Sequence, residues 1–127
     1  MKKSLFILSV LLIGFYISHA QPQQPKTTEG NELYMQARMY VQKSDLANAI
    51  MVYNQAINIE PDNLVFRREL AHAYYMQGDL LKGEKMISPL LKRNDADEEC
   101  FQVASRIYRA LKKTDDAKNA INNGIEK

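Results

Sequence analysis

The sequence predicts an all-α protein built as a solenoid of three helix-turn-helix units, and three observations predict it. From residue 30 onward the chain matches itself at a step of 34: Tyr40, Tyr74 and Tyr108 lie 34 apart, as do Ala37, Ala71 and Ser105, with no insertion or deletion. Ala49, Gly83 and Ala117 hold the same register, followed by Tyr53, Ile87 and Ile121, and by Ile57, Leu91 and Ile125. Within each unit the apolar residues recur at helical spacing in two blocks separated by a polar break. Glycine and proline are scarce, at five and four of 127 residues, which disfavours a turn-rich β fold.

Each element follows from that register. Leu33, Ala37, Tyr40 and Val41 predict a first helix over residues 30–43. After the break at Lys43-Ser44-Asp45, the block from Leu46 to Ile57 predicts a second over 46–59, closed by Pro61-Asp62. The second unit predicts helices over 64–77 and 80–93. Between them Gly78 suits a left-handed C-cap and Asp79 an N-cap. Pro89 falls inside the fourth helix and is expected to kink it near Lys85 and Met86. The third unit predicts helices over 98–111 and 114–126, with the acidic run Asp95, Asp97, Glu98 and Glu99 capping the first and Asp115-Asp116 playing a weaker version of that part for the second.

The spacing has a physical reason. Small residues at Ala37, Ala71 and Ser105, and at Ala49, Gly83 and Ala117, let paired helices approach closely. The recurring tyrosines are expected to fill the wedge between units, and Met39, Met51 and Met86 to join the packing. One helical pair cannot bury its apolar face alone, so the units must stack. The last unit is expected to leave an open end. The proline that would close it falls beyond Lys127, and Ala117, Ala120, Ile121, Gly124 and Ile125 form an apolar strip whose far side would normally meet another unit.

The N-terminus reads as an address. Lys2 and Lys3 precede an apolar run from Leu5 to Ile17, and Ser18-His19-Ala20 places small residues before a cut at Gln21. Thirteen helical residues reach about 20 Å, short of the roughly 30 Å hydrocarbon core. Residues 1–20 are therefore expected to be a cleaved signal peptide, giving an exported, periplasmic or secreted protein with no stable membrane insertion afterwards. Residues 21–29, polar and holding two prolines, are expected to be a disordered linker. Residues 30–127 form the array, in units 30–63, 64–97 and 98–127.

Composition excludes more than it identifies. Without Lys2 and Lys3, 15 of the 17 basic residues remain against 15 acidic ones, so the exported chain is neutral and lacks the concentrated positive field of a nucleic-acid binder. His72 and Cys100 are the histidine and the cysteine left after cleavage. They lie in different units, and no metal site or cofactor is expected. Cys100 reads as a buried small apolar residue. There is no nucleophile motif, phosphate loop or carboxylate pair on which to build an enzyme.

The repeat resembles the tetratricopeptide repeat family, whose pattern runs from a large residue through leucine, glycine and tyrosine to alanine, phenylalanine, alanine and proline. The first unit carries it as Leu33, Ala37, Tyr40, Ala49, Tyr53, Ala56 and Pro61, with Gln36 in place of leucine. The second has Leu70, Ala71, Tyr74, Gly83 and Ile87 but departs at Arg67, Leu90 and Asp95. The third has Phe101, Ser105, Tyr108, Ala117, Ile121 and Gly124. The resemblance implies a right-handed superhelix whose first helices line a concave, partner-binding groove. Carried over by position, the groove side chains are Tyr34, Arg38 and Gln42 in unit one, Arg68, His72, Tyr75 and Met76 in unit two, and Gln102, Arg106 and Arg109 in unit three. The arginines are expected to form a basic track suited to a protein or peptide with acidic residues. Some family members grip a chaperone's acidic C-terminus with a lysine and an asparagine in unit one and an asparagine in unit two. Tyr34, Arg38 and Glu69 hold those places here, so that function is rejected. The expected function is a non-catalytic interaction module outside the cytoplasm. The alternative is a building block that self-associates through its open C-terminal end.

Overall fold

The computed structural model describes residues 28–126. The expected signal peptide (1–20) and residues 21–27 of the expected linker lie outside the described residues. Six α-helices follow in order: α1 Thr28–Gln42, α2 Leu46–Ile59, α3 Leu64–Gln77, α4 Leu80–Ile87, α5 Glu98–Ala110 and α6 Thr114–Ile125. A 3-10 turn spans Leu90–Lys92 between α4 and α5. Helix α1 begins two residues inside the segment expected to be linker.

The chain marks its own boundaries at the 34-residue step. Ser44, Gly78 and Lys112 all adopt the left-handed conformation, with φ of 59°, 87° and 61°. Glycine takes that region freely, whereas serine and lysine are held there against a steric cost. Asp45 and Asp79 then cap α2 and α4 by accepting the N–H of Asn48 at 3.3 Å and of Lys82 at 3.2 Å. Lys113 holds the third such place and offers no acceptor, so Asp115 and Asp116 contribute charge in the first turn of α6 and no cap. Asn63 and Asp97 cap α3 and α5 through the N–H of Phe66 and Cys100, at 3.2 and 2.9 Å. Each such cap is worth about 1 kcal/mol.

Pro89 does more than kink the fourth helix. Helix α4 ends at Ile87, well short of the expected residue 93. Pro89 has no N–H to donate, and its ring crowds the carbonyl four residues back. The chain continues as the tighter 3-10 turn, which keeps Leu90 buried at 3% exposure.

Two apolar clusters hold the array together. The first joins units one and two through Ala37, Ala49, Val52, Tyr53, Leu70 and Ala73. The second joins units two and three through Ala71, Ile87, Leu90, Cys100, Ala104, Ile107 and their neighbours. The small positions act as expected. Ala37, Ala49 and Ala71 are fully buried, and a Cβ added at Gly83 would stand 3.1 Å from Ile107 Cδ1 and 3.3 Å from the Ala71 carbonyl. The large positions differ. Tyr108 is buried, but Tyr40 and Tyr74 are half-buried at the rim, and Lys82 Nζ lies 5.7 Å from the centre of the Tyr74 ring. Met86 packs as expected, whereas Met39 and Met51 are exposed, because their helix faces have no neighbour among the described residues.

Candidate interaction face

The first helices α1, α3 and α5 lie side by side. Tyr34 on α1 stacks on Phe66 of α3, with ring centres 5.4 Å apart and planes tilted by 22°. The exposed guanidinium of Arg38 sits 5.7 Å over the Tyr34 ring. Tyr34 thus ties two units together while keeping an edge in solvent, and Gln42 is exposed one turn beyond Arg38. In unit two, His72 and Tyr75 stack at 6.1 Å, and Met76 is exposed beside them. Burial lowers the His72 pKa, with Glu69 opposing the shift, so the imidazole is neutral at pH 7. In unit three, Gln102 is exposed and donates from Nε2 to Glu98 Oε1 at 2.8 Å. Arg106 and Arg109 are exposed and have no ion-pair partner among the described residues.

Arg68 does not belong to this surface. Its residue exposure is 6%, and three carboxylates surround it: Asp97 at 2.5 Å, Glu99 at 2.7 Å and Glu69 at 3.1 Å. Burial works against the charge, but those carboxylates outweigh it and raise the guanidinium pKa. Asp97 serves twice, since one oxygen caps α5 and the other holds Arg68. The expected basic track is therefore interrupted in the middle unit, where one cation faces three anions. The free positive charge gathers in unit three, with Arg38 apart in unit one.

Sequence reasoning placed the acids of 95–99 at the start of α5 and missed their second role. The clue was present: Asp97 and Glu99 follow Arg68 by 29 and 31 residues, slightly less than one repeat, which brings the start of α5 against α3 of the unit before it.

Gln102, Arg106 and Arg109 also line a cleft of about 300 Å³ between α5 and α6, with Phe101, Ser105, Ile121 and Ile125 among its other walls. Gly124 forms part of it, and a Cβ there would come within 2.9 Å of Phe101 Cβ. Cys100 lies beneath this unit, fully buried. Burial, and then its hydrogen bond with Asp97, pushes the thiol up to about 12, so it is a poor nucleophile at neutral pH.

Residues 37–78 match a family model described as TPR repeat, which spans the junction of units one and two. No curated protein sequence matches the chain. Among solved structures, the chain is similar to the Sgt2 TPR domain from Aspergillus fumigatus, with a TM-score of 0.70 and 22% sequence identity. The match covers 79% of this chain, which spans 66% of the length of the fungal one. At that identity the likeness concerns the fold, an all-α solenoid.

Proposed function

We propose that this chain is a non-catalytic protein-interaction module that acts outside the cytoplasm and takes an acidic peptide or protein segment on the face made by α1, α3 and α5. The observation that carries this reading is the pair Arg106 and Arg109, exposed and without carboxylate partners among the described residues, on the same face as the stacked His72 and Tyr75. Arginine and tyrosine are enriched where proteins meet, and guanidinium groups pair in two-pronged fashion with carboxylates. The middle of the face, where Arg68 is neutralised, offers apolar and aromatic area instead. An extended or helical segment with acidic residues towards the unit-three end matches that distribution.

The test begins with capture of a partner from envelope extract by the chain, followed by calorimetric titration. The double variant Arg106→Ala/Arg109→Ala is expected to bind at least about tenfold more weakly, in keeping with the loss of two charge-assisted contacts. Lys85→Ala, on the exposed side of α4, is expected to bind like the wild type. Affinity should fall as salt rises, because exposed charges are screened. Equal affinities for all three proteins would place binding elsewhere. Export has a separate check. Protein recovered from outside the cytoplasm is expected to begin at Gln21 by mass spectrometry, and retention of Met1 to Ala20 would overturn the cleavage reading.

A further inference from the structure

Helices α3 and α5 each seat on the preceding unit through the same repeat positions. Leu70 of α3 joins Ala37 and Tyr53 in the first cluster, and Ala104 of α5 joins Ala71 and Ile87 in the second. Among the described residues no helix precedes α1, so its equivalent positions face outward. Gln36 stands where Leu70 and Ala104 stand, and Met39 where Ala73 and Ile107 stand. Both are exposed, Met39 by 55%. The opposite end of the array shows the complementary gap. Tyr53 and Ile87 are 1% and 0% exposed beneath α3 and α5, while their equivalent Ile121 is 42% exposed and Ile125 is 79% exposed.

The polar groups at the two ends also correspond. Ser105 lines the α5/α6 cleft, is 1% exposed, and its Oγ has no hydrogen-bond partner among the described residues. A buried hydroxyl left this way carries a penalty. Its equivalents Ala37 and Ala71 cluster with the apolar Leu70 and Ala104. At the open end the pattern changes on both sides: serine replaces alanine in the cleft, and glutamine replaces leucine on α1. By the 34-residue step, a helix seated in the cleft as α3 seats on unit one would lay Gln36 across the part of α5 that carries Ser105. Glu29 on α1 occupies the repeat position of Asp97, the residue that reaches back from α5 to Arg68. The place of Arg68 is held in unit three by Gln102, which lines the cleft together with Glu98, Arg106 and Arg109, so Glu29 would meet a polar rim there.

We infer that α1 of a second copy seats in the α5/α6 cleft, head to tail, so that the 34-residue step runs from one molecule into the next. The contact uses two different surfaces and does not close on itself, so it builds stacks that lengthen with concentration. Apolar burial of Met39 against Ile121 and Ile125 drives it. The 34-residue step sets its register, with Glu29 at the polar rim beside Gln102.

Sedimentation of the purified chain tests this. The weight-average mass of the wild type is expected to rise with concentration. Met39→Glu and Ile125→Glu alter exposed positions, so their helical circular dichroism should match the wild type, and each alone should sediment as a single chain. Mixed in equal amounts they should form a dimer and nothing larger, because each retains the surface the other has lost. A wild type that stays a single chain at the highest concentration reached overturns the inference. So does a Met39→Glu protein that still self-associates, since the contact would then be two-fold between cleft ends or would run through residues 1–27. Failure of the equimolar mixture to dimerise overturns it as well.

Discussion

Replacing Arg68 with alanine is expected to destabilise the fold by about 2–3 kcal/mol. The guanidinium is held by carboxylates on two elements, Glu69 on α3 and Asp97 and Glu99 at the start of α5. Truncation would leave three negative groups close together and would remove the buried stem as well. Breaking a fully buried pair costs about 3–5 kcal/mol. Here the carboxylates are 25%, 41% and 66% exposed, so water takes up part of the loss. Urea denaturation measures the effect. With a slope of about 1 kcal/mol per molar urea, the midpoint should fall by about 2–3 M. A cycle with Asp97→Asn, which keeps an acceptor for the Cys100 N–H, should show strong non-additivity, because both changes cut the same contact. A midpoint unmoved in Arg68→Ala would return this residue to the partner-binding face and contradict its structural role.

The second large effect is expected from Ala71→Leu, at about 2–3 kcal/mol of destabilisation. Ala71 is fully buried, and its backbone is in near contact with Gly83 on α4. It shares a cluster with Ile87, Leu90, Ala104 and Ile107, so the added side chain has no free direction in which to turn. The α3–α4 pair must separate, or α5 must lift away. A matched control is Ala71→Gly, which creates no clash and costs only about 1 kcal/mol through helix propensity. A denaturation midpoint of Ala71→Leu equal to the wild type would show that the 34-residue register is wrong.

Most of the fold was legible because its determinants recur. Ala37 and Ala71 are conspicuous as a pair 34 apart, and each demands the same close approach in the structure. The break at Gly78-Asp79 was readable because each residue type serves one purpose there. Ser44 and Lys112 adopt the same left-handed geometry without advertising it, and only the repeat register points to them. The end of α4 was misread in degree. Pro89 was recognised, but Leu90 and Leu91 continue a helical apolar pattern on paper, and a 3-10 turn satisfies the same burial. The interaction face was less legible than the fold. Position within the repeat placed Arg106 and Arg109 on the surface, and it placed Arg68 there too, because helical spacing reports the direction of a side chain and not the charges that arrive from the next unit. Met39 was misassigned to the interior for a related reason: its equivalents Ala73 and Ile107 are buried by a preceding unit that α1 lacks among the described residues.

The substantial contacts among the described helices join elements adjacent or next-but-one along the chain, as in α1 with α2, α2 with α3, and α3 with α5. Even the Arg68–Asp97 link spans only 29 residues. During folding, then, no loop much longer than one unit has to close, and chain closure costs little more for the last contact than for the first. Any helical hairpin can nucleate the structure, and its neighbours can add on either side. A molecule wired this way needs no search for remote partners and belongs kinetically with the helical proteins of low contact order, which fold on microsecond to millisecond timescales.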